Sequence, residues 1–146
     1  MILNFKKIDK NIDTIIPKYT DIGNSGLDIC ASLSDDVEIL PNEIKLIGTN
    51  LCAEVPIGFE IQVRPRSGLA LKHGITVLNT PGTIDSNYRG EIGIILYNVK
   101  NEPYKVKNGD RIAQLVVSRV EHPLISLKDE LSETNRNEKG FGSSGV

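Results

Sequence analysis

Long apolar segments and large aromatic side chains are both scarce in this sequence. It contains no tryptophan, three phenylalanines and four tyrosines, and its longest apolar stretch, residues 92–99, is far too short to cross a bilayer. The N-terminal residues lack an apolar stretch of the length that a secretory signal needs. We therefore expect a soluble protein of the cytoplasm that has no membrane partner.

An excess of positive charge is also absent. The chain has 17 lysines and arginines against 19 aspartates and glutamates, which gives a formal net charge of -2. A protein that follows the nucleic-acid backbone needs a basic surface to neutralise phosphates, so we expect no nucleic-acid partner. Any site for an anion must then be built from a few local groups.

Cysteine is too rare for a disulfide framework. Cys30 and Cys52 both lie in apolar stretches, and no spacing of histidine and cysteine is typical of a zinc site. We expect two buried free thiols, as in proteins of a reducing compartment.

The sequence does contain many short segments that are rich in isoleucine, valine and leucine. Turn signals such as PNE, NTPG and KNG separate them, and 146 residues suit a single domain. The segments that predict strands are residues 2–5, 27–31, 37–40, 44–47, 51–55, 59–63, 75–78, 92–99, 111–120 and 124–127. They predict an all-β sandwich or barrel, and SGLALKHG predicts one short helix with Ser67 as its N-cap and Gly74 as its end.

The composition changes after residue 127. Residues 128–146 carry only Leu131, Phe141 and Val146 as sizeable apolar side chains, which are too few to offset the entropy of ordering. We therefore expect a β domain at residues 1–127 and a flexible C-terminal tail at 128–146. The segment GFGSSG in this tail is typical of a loop whose amides wrap an anion while its ring covers a flat group.

Three motifs suggest a site, although each has a simpler structural explanation. RPRSGLA places two arginines beside a helix start, where free amides favour phosphate, but it also suits a capped helix with solvated arginines. NTPGTIDSNYRGE has the turn chemistry of a hairpin at Pro81-Gly82, after which Asp85 could cap a turn and Tyr88 could pack at a strand edge. GDRIAQLVV places Gln114 in an apolar strand, where a buried amide needs partners. The residues alone therefore indicate a phosphate-binding β-protein.

Together these segments resemble the family of trimeric dUTPases, which has five ordered motifs. The motifs here are SGLDICAS with Asp28, RPRSGLA with Arg66, Ser67 and Gly68, the stretch from Asn79 through GTIDSNYRGE, GDRIAQLV with Gln114, and Arg136 followed by GFGSSG. They occur in the family's order between residues 25 and 145. The fifth motif departs from the family pattern, because Asn137 and Lys139 stand where glycines are usual. How the tail closes is therefore open.

The resemblance implies a β jelly roll that assembles as a homotrimer with active sites at the subunit interfaces. It also implies an Mg²⁺-dependent hydrolase that splits dUTP into dUMP and pyrophosphate by water attack on the α-phosphorus. Such an enzyme limits uracil incorporation into DNA and supplies dUMP for dTMP synthesis.

The resemblance assigns the nucleoside end of the substrate to the third motif. Asp85 is expected to be the general base. Asn79 is expected to read the uracil edge in a pocket too tight for a 5-methyl group, and Tyr88 to lie under the deoxyribose, where a 2′-hydroxyl would clash. The remaining residues of this pocket are expected to be Thr83, Ile84 and Gly93.

The phosphates are expected to bind to the first, second and fourth motifs. Arg66, with the backbone amides of Ser67 and Gly68, is expected to hold the inner phosphates. Mg²⁺ is expected to be bound mainly by the substrate, while Asp28 and Gln114 hold its waters or neighbouring phosphate oxygens.

The tail is expected to close the site. The resemblance implies that Arg136 and the loop of Gly142, Ser143 and Ser144 cover the γ-phosphate, and that Phe141 stacks on uracil.

Two other functions remain as alternatives. A dCTP deaminase of this fold has a glutamate in the strand after the hairpin, where this chain has Ile94-Ile95-Leu96. A non-catalytic nucleotide-binding or regulatory module is expected to have lost its base or its tail, yet Asp85 and Arg136 are both present.

Overall fold

The computed structural model describes residues 1–140, which are built mainly of short strands. Within these residues there are eleven strands and one helix of seven residues. The strands are β1 Asn4–Lys7, β2 Leu27–Cys30, β3 Val37–Ile39, β4 Ile44–Ile47, β5 Leu51–Glu54, β6 Phe59–Arg64, β7 Ile75–Val77, β8 Gly82–Ile84, β9 Ile94–Asn98, β10 Tyr104–Val106 and β11 Arg111–Arg119. The helix α1 spans Ser67–His73, between β6 and β7.

The strands pair in two larger sheets and two short ribbons. One sheet has the order β2-β11-β6-β8, the other has the order β4-β9-β7, and the ribbons are β1-β5 and β10-β3. These pairings are antiparallel. The prediction of an all-β fold is therefore confirmed. Within residues 1–140, no helix has the length and apolar character that crossing a membrane takes.

Apolar residues that alternate along the strands form one core. Ile29 of β2, Ile61 of β6 and Leu115 of β11 have no exposed surface, and neither have Ile94 and Leu96 of β9. Burying one such side chain stabilises the fold by about 1.5–3 kcal/mol. Because successive side chains of a strand point to opposite faces, the core positions leave the residues between them on the outer surface. The candidate site is built from these outward-facing residues and from loops.

Two short strands and one apolar segment differ from the sequence prediction. The strands β8 and β10 were not predicted, because their sequences GTI and YKV each contain only one residue among isoleucine, valine and leucine. Residues 124–127, predicted as a strand, form none. The hairpin expected at Pro81-Gly82 is instead a crossover between the sheets, because β7 pairs with β9 while β8 pairs with β6.

The helix and the cysteines differ in smaller ways. Arg66, and not Ser67, takes the N-cap position of α1, and no side chain caps it. Gly74 ends the helix in the left-handed conformation, with φ 64°, as predicted. Both cysteines are free, but only Cys30 is buried and Cys52 is half-buried.

Candidate functional site

One carboxylate lies between two arginines on the outer face of the four-stranded sheet. Asp28 accepts a hydrogen bond from Arg66 Nε at Oδ1 (2.9 Å) and one from Arg111 Nη1 at Oδ2 (3.1 Å). Arg66 Nη1 also donates to the Arg111 carbonyl (3.1 Å). We call these three residues the arginine–carboxylate cluster. Two positive charges and one negative charge leave it with a net charge of about +1, which favours an anion beside it.

Gln114 extends this cluster. It lies directly opposite Asp28 in the β2–β11 pair, and its Nε2 donates to the Pro65 carbonyl at 2.8 Å. Its amide oxygen lies so close to Gly26 that a Cβ there would collide with it. Asp28 and Gln114 line a cavity of about 310 Å³ together with residues of the segment 18–26. The structure therefore brings together two of the residues expected near the phosphates and their metal.

A β-bulge brings Arg111 to the same face. Arg111 lies three residues before Gln114, so strict alternation would put the two side chains on opposite faces. The register shifts between Arg111 and Ala113, and Ile112 and Ala113 are both buried. The extra residue lets both polar side chains point away from the core. Sequence reasoning missed Arg111, because a bulge inside an apolar strand has no local signal.

The start of α1 lies directly after Arg66. Ser67 and Gly68 are exposed, and the first turn of the helix contains no acidic residue. The first amides of a helix have no acceptor within the helix, so the amides of this turn remain available beside the Arg66 guanidinium.

Cys30 is buried close to the cluster. Burial raises the pKa of its thiol, and the Asp28 carboxylate raises it further, while Arg111 and Arg66 oppose the shift. The thiol therefore stays neutral, and the charge of the cluster comes from Asp28 and the two arginines alone.

The second group of predicted site residues lies on residues 85–91, which we call the 85–91 loop. Tyr88 N donates to the Asp85 carbonyl (3.1 Å), and Tyr88 Oη donates to the Glu91 carbonyl (3.0 Å). Arg89 Nη1 donates to the carbonyls of Ser86 and Tyr88, both at 2.8 Å. The loop therefore holds its own conformation. The Asp85 carboxylate is exposed and takes part in none of the hydrogen bonds or ion pairs found within residues 1–140.

Glu91 ties the end of this loop to the β4–β5 turn. Its Oε1 accepts hydrogen bonds from the amides of Thr49 (3.0 Å) and Asn50 (2.8 Å). Thr49 Oγ1 donates to the Ile92 carbonyl, and the Ile92 amide donates to the Leu51 carbonyl, both at 2.7 Å. Sequence reasoning did not single out Glu91, because its partner Thr49 is 42 residues away along the chain.

The remaining predicted pocket residues flank the loop; they are Asn79, Thr83, Ile84 and Gly93. Asn79 is exposed, and its Nδ2 would lie 3.1 Å from a Cβ placed on Gly82. A Cβ on Gly93 would come within 2.7 Å of Leu46 Cδ1. The side chain of Ile84 is only 7% exposed and belongs to the core. Ile84 can therefore line a pocket only through its backbone.

The two groups lie far apart in one chain. β8 runs antiparallel to β6 with Ile84 opposite Ile61, so Asp85 lies near the start of β6. Arg66 comes five residues after Ile61, beyond the other end of the strand. Asp85 lies one residue beyond Ile84, level with Glu60, so at the rise of an extended strand it is six residues, or about 20 Å, from Arg66. A general base must come within about 3 Å of the water that it activates. A single chain therefore does not bring Asp85 to the phosphate-side residues.

Arg136 contacts neither group within residues 1–140. Its Nε donates to the Lys139 carbonyl (2.9 Å), and the Lys139 amide donates back to the Arg136 carbonyl (3.0 Å). Asn137 takes the left-handed conformation with φ 42°, which asparagine tolerates better than most residues. The other predicted tail residues lie outside the described part of the chain; they are Phe141, Gly142, Ser143 and Ser144.

Known proteins resemble the chain over its whole length. A family model described as dUTPase matches residues 13–145. The chain is 52% identical to a deoxyuridine 5'-triphosphate nucleotidohydrolase of Picosynechococcus sp., with 100% of both chains covered. It is 49% identical to the protein of the same name from Thermoanaerobacter sp., with 100% of this chain and 99% of that one covered. The fold is similar to that of Staphylococcus bacteriophage 80alpha dUTPase with dUPNHPP, at a TM-score of 0.86 and 29% identity over 99% of each chain. This similarity confirms the jelly-roll-like fold.

Proposed function

This chain belongs to the dUTPase family, and we infer that it is a hydrolase that converts dUTP to dUMP and pyrophosphate. In the structure, the observation that carries the inference is the arginine–carboxylate cluster, whose excess positive charge lies beside a cavity on the sheet surface. The triphosphate of dUTP needs local cations of this kind in a chain whose net charge is -2. The reaction limits uracil incorporation into DNA and supplies dUMP for dTMP synthesis.

Deamination of dCTP is not favoured. In β9, Ile94 and Leu96 are completely buried, and Ile95 is the residue between them on the outer face. This strand therefore offers no carboxylate to move protons. A purely binding protein is not favoured either, because Asp85 remains on a loop that holds its own conformation.

We assign the role of general base to Asp85. Its carboxylate has no hydrogen bond or ion pair within residues 1–140, so both oxygens are available to a water molecule. As the water oxygen bonds to the α-phosphorus, its proton passes to Asp85. The bond from the α-phosphorus to the bridging oxygen breaks in line, and pyrophosphate leaves with that oxygen. Pyrophosphate and dUMP are the two products.

We assign the inner phosphates to Arg66. Its Nε and Nη1 are held by Asp28 and by the Arg111 carbonyl, so the guanidinium is oriented before substrate arrives. The amides of Ser67 and Gly68 at the start of α1 lie next to it and add hydrogen-bond donors. Donors fixed in advance stabilise the charge that develops during phosphoryl transfer without reorganising.

We propose that Mg²⁺ bound to the triphosphate is the cofactor. Across residues 1–140, no three histidine, cysteine, aspartate or glutamate side chains are grouped so that they could hold a metal ion by themselves. Both oxygens of Asp28 accept hydrogen bonds from arginines, but each can accept another from a metal-bound water, as can the amide oxygen of Gln114. These residues therefore fit an ion that phosphate oxygens hold directly. When bound, it neutralises phosphate charge and orients the leaving group.

We propose that the nucleoside binds beside the 85–91 loop. The exposed Asn79 offers an amide donor and acceptor to the uracil edge, and Thr83 is exposed next to it on β8. Ile84 and Gly93 complete this pocket with backbone atoms only, because the Ile84 side chain is buried in the core and glycine has no side chain. Tyr88 lies under the deoxyribose in this arrangement and excludes a 2′-hydroxyl by steric clash.

The separation of the two groups supports an active site shared between copies of the chain. At the rise of an extended strand, Asp85 of the loop and Arg66 of the cluster are about 20 Å apart on one chain. In a ring of identical subunits, the loop of one subunit can face the cluster of the next. We therefore propose a homotrimer with its active sites at the subunit interfaces.

Exposed apolar residues after the last strand also support assembly. Leu124, Ile125 and Leu127 are 100%, 91% and 99% exposed. Such side chains gain about 1.5–3 kcal/mol each when a surface covers them. A neighbouring subunit supplies a surface of this kind in the proposed trimer.

Mixing two inactive variants tests the shared site. Asp85→Asn removes the base and Arg66→Ala removes a phosphate ligand, so each homotrimer alone should be nearly inactive. Trimers reassembled from an equal mixture should keep both residues intact in roughly a quarter of their sites, because each site draws the two residues independently from different subunits. They should recover that share of wild-type activity. If the mixture recovered no more activity than the sum of the separate variants, the shared site would be contradicted. Sedimentation equilibrium separately measures the mass of the assembly and so tests the trimer.

We propose that the tail closes over the bound nucleotide. Arg136 is exposed and hydrogen-bonds within its own turn, so its guanidinium can be redirected to the γ-phosphate at little cost. In this arrangement Phe141 stacks on uracil, and the amides and hydroxyls of Gly142, Ser143 and Ser144 surround the γ-phosphate.

Product analysis tests the proposed function directly. The purified protein is incubated with dUTP or dCTP in the presence of Mg²⁺, and the products are separated and identified. We expect dUMP and pyrophosphate from dUTP, and no product from dCTP. Formation of dUTP from dCTP would establish deamination instead, and tight dUTP binding without any product would establish a binding module.

A further inference from the structure

We propose that Gly90 is a specificity-determining residue, because its missing side chain provides the space in which the Tyr88 ring lies. The inference rests on the proposed function, in which Tyr88 distinguishes deoxyribose from ribose. It adds a second residue to that selection, one that need not touch the nucleotide itself.

The Tyr88 ring lies directly on the backbone of Gly90. The three atoms nearest to a Cβ placed on Gly90 all belong to Tyr88: the hydroxyl oxygen, then Cζ at 2.5 Å and Cε2 at 2.9 Å. Real Cβ atoms essentially never approach other atoms this closely. Alanine at position 90 therefore cannot coexist with the observed position of the ring.

Space, and not backbone conformation, is what requires glycine here. The glycines with positive φ within residues 1–140 are Gly58, Gly74 and Gly109, so Gly90 does not have the left-handed φ that would exclude alanine. A side chain at position 90 should therefore leave the path of the chain unchanged. Its effect should fall on the neighbouring ring.

The backbone on one side of this contact is firmly held, whereas the ring is not. Glu91, next to Gly90, binds the amides of Thr49 and Asn50 through its carboxylate. Tyr88 is 46% exposed, and its hydroxyl makes a single hydrogen bond, to the Glu91 carbonyl, within residues 1–140. When a methyl group is added at position 90, the ring is therefore the part that moves.

Displacing the ring should change the choice of sugar. The hydrogen bond to the Glu91 carbonyl is lost, and the space that excludes a 2′-hydroxyl opens. A steric wall of this kind lowers kcat/KM for a substrate with an added hydroxyl by about 10²-fold at most. The preference for dUTP over UTP should therefore fall several-fold in Gly90→Ala, towards the value of Tyr88→Ala.

The test compares kcat/KM for dUTP and UTP in the wild type, Gly90→Ala, Tyr88→Ala and the double variant. Gly90→Ala should lower the dUTP-to-UTP ratio in the wild-type background and should not change it in the Tyr88→Ala background, where no ring remains to be displaced. Tyr88→Phe keeps the ring over Gly90 and should keep most of the preference. The melting temperature and the mass of the assembled protein should be close to wild type in all variants.

The outcomes separate this inference from the function on which it rests. An unchanged ratio in Gly90→Ala, or the same change in both backgrounds, would overturn the role of Gly90 while dUTP hydrolysis stands. An unchanged ratio in Tyr88→Ala would overturn the sugar role of both residues. Failure of the wild type to hydrolyse dUTP would refute the proposed function itself. A crystal structure of Gly90→Ala gives an independent measure, because the inference requires that the Tyr88 ring has left the Glu91 carbonyl.

Discussion

The arginine–carboxylate cluster and the 85–91 loop each contain an aspartate, and the two aspartates have opposite surroundings. Asp28 receives hydrogen bonds from Arg66 and Arg111, and its side chain is 28% exposed. Asp85 is exposed and has no hydrogen bond or ion pair within residues 1–140. A carboxylate that two cations neutralise is suited to orienting those cations. A carboxylate without a protein partner is suited to accepting a proton, so the surroundings agree with the binding role proposed for Asp28 and the catalytic role proposed for Asp85.

Removing the tail should have the largest effect, because it leaves both regions open to water. Truncation after Leu127 removes Arg136 and Phe141, and residues 128–140 contain no strand, so the melting temperature and the number of subunits in the assembly should barely change. Loss of a phosphate-binding arginine costs about 10²–10³-fold in kcat, and loss of base stacking costs roughly 1–3 kcal/mol more. Steady-state kinetics should therefore show a loss of several orders of magnitude, while weak dUTP binding remains in calorimetry. Hydrolysis at the full-length rate would show that neither region needs the tail.

Asp85→Asn should have the next largest effect and should affect the reaction step alone. The amide keeps the size of the side chain and its hydrogen-bonding capacity but cannot accept a proton from water. We expect kcat to fall by about 10²-fold or more. KM and the melting temperature should stay near their wild-type values. A variant with near-normal kcat would place the base elsewhere and remove the contrast with Asp28.

Asp28→Asn should have the smallest effect on the reaction and a measurable effect on stability. The substitution weakens two charge-assisted hydrogen bonds and leaves Arg66 and Arg111 less firmly oriented. We expect a loss of about 1–2 kcal/mol in the free energy of unfolding and a fall of about 2–6 °C in the melting temperature. KM for dUTP should rise more than kcat falls. If Asp28→Asn lowered kcat as much as Asp85→Asn, with unchanged stability, the two aspartates would share a catalytic role.

Much of the fold can be read from local patterns in the sequence. The segment predicted at 44–47 is β4 as observed, and Gly74 ends α1 as predicted, because alternation and glycine at a helix end are short-range signals. The strands β8 and β10 were missed, because each contains only one residue among isoleucine, valine and leucine and so gives no local signal. Residues 124–127 are mostly apolar, but within residues 1–140 they pair with no strand. The local apolar pattern shows whether a segment can form a strand. Whether it does form one also depends on a neighbouring strand with which it can pair.

The site divides in a similar way. Asp28, Arg66 and Gln114 are residues whose motifs identify them, and the structure places all three together. Arg111 and Glu91 could not be predicted, because one depends on a bulge and the other on amides 41 and 42 residues away. The separation of Asp85 from Arg66 could not be predicted either, since it follows from the antiparallel pairing of β6 and β8.

The bulge in β11 also determines where this strand can tolerate a change in length. Deleting one residue from a regularly alternating strand exchanges its two faces, so that polar side chains turn inward and apolar ones outward. Deleting Ile112 would instead remove the extra residue and leave Arg111 and Gln114 on their present face, at the cost of one buried isoleucine. Deleting Leu115 would exchange the inward and outward faces of β11 on one side of the deleted residue. Single-residue deletions in related sequences are therefore expected at the bulge and not in the rest of the strand.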